Sequence, residues 1–349
     1  MASERVLVAV DGGGSQTRLW LLDPEGRVVG RGQAGTSNPT AAGVAAAARA
    51  IAEAACQAGL ELPASSPSRG AAARDGGPTA GAWPSHAVAV AVLALAGASR
   101  EPERSQMQEA VMRLFPKAEV MVVHDGVAAL LAGTLGEPGV LLLAGTGSLA
   151  LALGPDGREI RAGGWGYLLG DEGSGYWIGR EAIRAALRAE DGRGPATSLT
   201  RRLCRAAGVE RVSDLVGPVH RGEWSRARIA GLAKDVLEAA VQGDEVARAI
   251  IDSAARELAL LVRAVLDRAE FLASLDPVPT VTAGGLFRMG EAWLARVERA
   301  LAREAPRARL AGRVEEPVVG AAYLALKTFH NRVPEPALER LRALRAASG

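Results

Sequence analysis

The chain has 349 residues, 48% of them apolar and 23% charged, with 41 Lys and Arg against 39 Asp and Glu for a formal charge of +2. That is enough apolar material for a large core and a length that suits two domains, while the interleaved charges leave no basic stripe for nucleic acid. The two cysteines, Cys56 and Cys204, are too few and too far apart for a disulfide framework or a cysteine zinc site, and no apolar run is long enough for a signal peptide or a membrane span, so a cytoplasmic protein is expected.

The opening residues predict a meander. Val6–Val10 is an apolar strand, Asp11–Gly14 a turn, Thr17–Leu22 a second strand, Pro24–Gly26 a turn and Arg27–Arg31 a third strand. Ala41–Ala58 is Ala-rich and helical, and Gly59–Ser85 has the Gly, Pro, Ser and Ala content of a loop or insertion. Ala87–Leu95 is a buried strand, Pro102–Phe115 a helix with Met107, Val111 and Leu114 on one face, and Val120–Val123 a short strand before a helix from about Gly126. The opening pattern then returns: VLVAVDGGGSQTRLWLLDPEG at 6–26 is echoed by VLLLAGTGSLALALGPDG at 140–157. This internal duplication predicts two α/β domains, with a ligand cleft between them. The remainder is mostly helical (Ala227–Ala240, Glu245–Ala269, Glu291–Leu301, Pro317–Thr328 and a charged helix at Ala337–Ala346), with one more strand at Val278–Thr282.

Six motifs can carry chemistry. In Asp11-Gly12-Gly13-Gly14-Ser15-Gln16-Thr17 the glycines allow positive φ and close backbone approach, so their N–H groups with the Ser15 and Thr17 hydroxyls can hold phosphate oxygens, and Asp11 can hold Mg²⁺. An ordinary hairpin turn is the alternative. Gly145-Thr146-Gly147-Ser148 superficially matches a dinucleotide fingerprint, but Leu149–Leu153 alternates as a strand, whereas that fingerprint opens a helix; no Gly-Lys-Ser or Gly-Lys-Thr is present either. Two hairpin turns on one polyphosphate fit better. Asp125, in His124-Asp125-Gly126 at a strand's C-terminal end, is either a base for a substrate hydroxyl or a helix N-cap. Gly163–Trp177 concentrates two Trp and two Tyr with acids in a Gly-dense stretch, which suits either sugar stacking or a packed loop. Ala283-Gly284-Gly285 allows a flat group such as adenine against the backbone or is a plain turn, and Asn38 either binds a hydroxyl or caps a helix. His86, His220 and His330 show no partners, and both cysteines read as buried hydrophobes.

Together these motifs resemble the N-acetylglucosamine kinase branch of the BadF/BadG/BcrA/BcrD ATPase family, within the actin–Hsp70–hexokinase superfamily, over about residues 5–328. GGWGYLLGDEGSGYWIG is the most specific match. The resemblance implies two ribonuclease-H-like domains, at 1–124 and 125–330, with an interdomain cleft and with the C-terminal tail packing back on the first. It implies ATP and Mg²⁺ as cofactors, with Asp11 toward the metal and Gly12, Gly13, Gly14, Ser15, Thr17, Gly145, Thr146, Gly284 and Gly285 toward the nucleotide. Asp125 would be the base for a sugar 6-hydroxyl, and Asn38, Gly97, Gly147, Trp165 and Asp171 would join it around the sugar. The implied activity is phosphorylation of N-acetylglucosamine, with glucosamine, N-acetylmuramic acid or glucose as alternatives. A redox-activating ATPase is a second reading, disfavoured by the cysteine positions. The implied partners are the sugar and ATP, with neither nucleic acid nor membrane, and a homodimer is left open. Leu149 departs from the pattern: animal N-acetylglucosamine kinases have Asn there, which puts the exact amino sugar in question.

Overall fold

The computed structural model describes residues 5–63, 83–98 and 100–347, which fold as two compact α/β units, Met1–Glu137 with Val314–Gly349, and Pro138–Arg313. In the first unit β1 (Val6–Gly12), β2 (Thr17–Leu22) and β3 (Val28–Ala34) form the expected antiparallel meander. Two short strands, β4 (Leu60–Glu61) and β5 (Trp83–Pro84), pair at the flanks of the expected 59–85 loop, whose residues 64–82 lie outside the described residues. β6 (Val88–Leu95) and β7 (Glu119–His124) add in parallel on the far side of β1, giving the order β3-β2-β1-β6-β7.

β1 and β6 are nearly unbroken apolar runs because both faces of the sheet are covered. The helices Val44–Gln57 and Glu103–Leu114 cover one face, burying Val8, Val10, Leu19, Leu21, Ile51 and Met107 in one cluster. The helices Asp125–Thr134 and Val318–His330 cover the other. Glycine sets the spacing at two contacts. A Cβ on Gly32 would sit 1.8 Å from the Ala54 carbonyl, and one on Gly320 would sit 1.9 Å from the Ala128 carbonyl.

The second unit repeats the wiring. β8 (Val140–Ala144), β9 (Ser148–Leu153) and β10 (Glu159–Gly163) form a meander, and β11 (Val278–Ala283) and β12 (Ala308–Arg313) extend it in parallel in the order β10-β9-β8-β11-β12. The duplication read from the two Gly turns is therefore a duplication of topology. The long helix Glu245–Leu266 is started by Asp244, whose side chain accepts the Ala247 amide at 2.9 Å. It packs Ile251, Leu258, Val262 and Val265 against the sheet and the helix Glu291–Glu304.

The structure differs from the sequence reading at several points. The expected boundary at 124/125 lies between Glu137 and Pro138, because the helix Asp125–Thr134 packs against Val318–His330 and stays with the first sheet. Residues after Arg313 belong to that same unit. The expected helix over 41–58 breaks at Gly43, where φ is +83°, and the one over 227–240 breaks at Leu232. The strands β10 and β12 were not expected at all. Both lie at sheet edges and carry exposed charged residues, so they lack apolar alternation. Cys56 and Cys204 are half-buried rather than core residues. Among the described residues, no helix is long and apolar enough to cross a membrane.

Candidate active site

In the first unit the C-terminal ends of β1, β6 and β7 lie side by side, with Gly12 paired to Leu95 and Leu95 paired to His124. This register brings Asp11, Gly97 and Asp125 to one edge of one sheet. Asp125 opens its helix but does not cap it. His124 is the N-cap, its Nδ1 accepting the Gly126 amide at 2.9 Å. The same Nδ1 lies 3.2 Å from Asp125 Oδ1. The Asp125 Oδ1 also meets the Gly126 amide at 3.0 Å, and the side chain remains 29% exposed. Asp11 is half-buried. Burial first, then the Asp125 carboxylate, push its carboxyl up to about 7; Arg18 opposes the rise and Glu316 adds to it.

The Asp11–Thr17 turn works differently from the expectation. None of Gly12, Gly13 and Gly14 has a positive φ. Gly12 is glycine for packing, since a Cβ there would fall 2.1 Å from Ser37 Oγ, whereas Gly14 faces open space. Ser15 is exposed. Thr17, expected on phosphate, is fully buried; its hydroxyl bonds the Gly35 carbonyl at 2.6 Å and the Ser37 hydroxyl at 2.8 Å, so it anchors the 35–37 segment instead. Thr36 completes the support by donating to the Gly13 carbonyl at 3.0 Å. Asn38 caps the helix Pro39–Ala42 by accepting the Ala41 amide at 3.0 Å. Gly97, at φ +79°, leaves the space Asn38 occupies, since a Cβ would lie 2.3 Å from Asn38 Oδ1; Thr40 donates to the Gly97 carbonyl at 2.7 Å.

In the second unit the loop after β8 exposes Thr146 at its tip, with Gly145 and Gly147 partly covered. Three neighbours hold it. The Gly175 amide, at the start of the helix Gly175–Glu190, donates to the Gly145 carbonyl at 2.8 Å. Gly284, at φ +102°, packs where a Cβ would be 2.3 Å from the Ala144 carbonyl, and Gly285 follows beside it. The buried Asp171 accepts the Ser148 amide at 3.3 Å and sits beneath Gly147, where a Cβ would be 3.0 Å from its carboxylate oxygens. Burial raises the Asp171 carboxyl above the usual carboxylate range, against the pull of the Ser148 amide. Trp165 is 59% exposed, with the Arg161 guanidinium 5.5 Å from its ring centroid, and the buried Leu149 packs under Gly164.

The sequence reading missed Arg18 and Glu316, which act on Asp11 and approach each other to 3.8 Å. The acidic pair Glu315-Glu316 ahead of Pro317 was the available signal for the second. His330, read as partnerless, bonds the Pro24 carbonyl through Nε2 at 2.8 Å.

The profile of the BadF/BadG/BcrA/BcrD ATPase family matches residues 8–325. An N-acetyl-D-glucosamine kinase of Dictyostelium discoideum is 29% identical over 93% of this chain and 99% of its own length. An N-acetylmuramic acid/N-acetylglucosamine kinase of Clostridium acetobutylicum is 37% identical over 50% of this chain, an alignment spanning 57% of that relative. Among solved structures, a proposed N-acetylglucosamine kinase from Chromobacterium violaceum matches with a TM-score of 0.69 and 29% identity over 92% of this chain and 99% of its own.

Proposed function

The chain belongs to the BadF/BadG/BcrA/BcrD ATPase family, and on that premise we propose that it transfers the γ-phosphoryl group of ATP to the 6-hydroxyl of an amino sugar, N-acetylglucosamine first. The observation that carries the reading is Asp125: a part-exposed carboxylate at a strand's C-terminal end, relieved of capping by His124 and lying within electrostatic reach of a second, half-buried acid, Asp11. In this reading Asp125 orients the sugar hydroxyl and takes its proton. The other residues proposed to touch the sugar are Asn38 and Gly97 of the first unit and Gly147, Trp165 and Asp171 of the second. Gly12, Gly13, Gly14, Ser15, Gly145, Thr146, Gly284 and Gly285 approach the nucleotide, and Thr17 supports its loop from behind.

Mg²⁺ supplies charge neutralisation on the phosphates when bound. Asp11 fits as its protein anchor: a half-buried, desolvated carboxylate beside a second one, disfavoured as an anion until a cation neutralises it. Among the described residues no three His, Cys, Asp or Glu side chains gather around one point, so the remaining ligands would be water and phosphate oxygens, which is how Mg²⁺ is usually held. A cytoplasmic location belongs to the same proposal.

ADP release from Mg·ATP tests it, measured alone and with N-acetylglucosamine, glucosamine, N-acetylmuramic acid and glucose. Strong stimulation by one sugar over a slow background supports the reading and names the substrate. Hydrolysis indifferent to every sugar overturns it.

A further inference from the structure

A cavity of about 280 Å³ opens on the first unit's sheet, on the opposite side of β1 from Asp125. Strand pairing builds it. Trp20 is opposite Arg31, and Arg18 is opposite Gln33, so β2 and β3 present two guanidiniums, an amide and an indole on one face. The other face of β3 is closed, because Gly32 presses against Ala54 of the helix Val44–Gln57 and Gly30 against its C-cap, Ala58. Glu316 borders the cavity on one side, and Leu344, from the C-terminal helix Glu335–Ala347, on another.

The charges there are not mutually satisfied. Arg31 stacks over Trp20 at 5.1 Å from the ring centroid, and no acid pairs with it among the described residues. Arg18 meets Glu316 only at 3.8 Å, with both side chains about one-third exposed. The lining carries two cations and one loosely held acid, with Asp11 facing Arg18 from the neighbouring strand; Arg31 is left without an acid among the described residues, and a recess at the small end of ligand-cavity sizes suits a compact anion there. Guanidiniums favour phosphate because their fixed N–H fork matches its oxygens, and Glu316 can accept from a ligand hydroxyl. We propose that this cavity binds a phosphomonoester of sugar size, a sugar phosphate or a nucleoside monophosphate, at a site separate from the reacting one. Arg18 links the two places: it is the β2 residue directly opposite Asp11 on β1, so a phosphate that engages Arg18 also changes the charge facing Asp11.

Binding to the intact protein is measured by calorimetry with N-acetylglucosamine 6-phosphate, AMP and inorganic phosphate, each with and without saturating N-acetylglucosamine. The expected result is one equivalent of N-acetylglucosamine 6-phosphate or AMP that the sugar does not displace. Arg31→Ala should weaken that equivalent by at least about tenfold and Arg31→Glu should abolish it, with basal turnover and unfolding temperature unchanged. The tighter of the two esters identifies the source. Binding that is fully displaced by the sugar, or that survives intact in Arg31→Glu, overturns the proposal. Since the readout is binding, it holds its meaning even if no sugar stimulates ADP release.

Discussion

Asp171 holds the second Gly turn from below: its carboxylate accepts the Ser148 amide at 3.3 Å and lies against Gly147, on a backbone with φ +60°. A residue chosen from sequence as a sugar contact thus also shapes the loop proposed to meet phosphate. Asn tolerates the left-handed conformation and keeps an accepting oxygen, whereas Ala does neither. Asp171→Ala should therefore destabilise the protein by about 1–3 kcal/mol and raise the KM for ATP, with Asp171→Asn much milder in both. Thermal unfolding and ATP titrations check this; an Ala variant as stable as wild type would refute the loop-holding role.

Asp125→Asn should leave the unfolding temperature and ATP affinity near wild type and cut kcat by about 10²–10⁴-fold, the usual range for a lost general base. The shape is kept, and the His124 cap does not depend on the carboxylate charge. Near-normal turnover would remove Asp125 from the role of base.

Asp11 gives a pH signature to the metal-free protein. Its folded pKa, about 7, lies above that of an exposed carboxylate, so between about pH 4 and pH 7 the folded state binds more proton than the unfolded one. The contribution to stability is full below about pH 4 and is lost as the pH rises through 7. Asp11→Asn removes this loss, so in EDTA the variant should be the more stable protein at pH 8, by an amount on the order of 2–4 kcal/mol, and the difference should shrink at pH 4. Unfolding curves at both pH values measure it; parallel pH profiles would mean that Asp11 ionises normally.

Gly320 and Gly14 should respond oppositely to Ala. At Gly320 the added Cβ would meet the Ala128 carbonyl at 1.9 Å between two packed helices, so Gly320→Ala should cost about 1–3 kcal/mol. At Gly14 the Cβ meets nothing within 4 Å and φ is not positive, so stability should be unchanged. If phosphate approaches that turn closely, Gly14→Ala should still raise the KM for ATP. An unchanged KM would count against the turn as a phosphate contact.

The legible parts of the fold were those buried on both faces. Val6–Val10, Val88–Leu95 and Val140–Ala144 read as strands because no face reaches water, and the two Gly turns after β1 and β8 exposed the duplication. The edge strand Ala308–Arg313 did not, because most of its side chains are exposed and its composition resembles a loop. The site was legible as a list of motifs but not as a division of labour. Thr17 and Gly14 belong to one seven-residue motif, yet the first is fully buried behind the 35–37 segment and the second faces open space.

Residue order alone carried the family, the two-fold repeat and the candidate acids, because motif spacing and apolar runs are local properties of a chain. Three-dimensional packing settled what no local pattern encodes. It assigned Asp125–Thr134 to the first unit through its contact with a helix nearly 200 residues away. It made Gly12 a packing requirement rather than a flexible joint. It also set Arg18 and Glu316 around Asp11, because the charge felt by a desolvated carboxylate depends on distances across the sheet, not along the sequence.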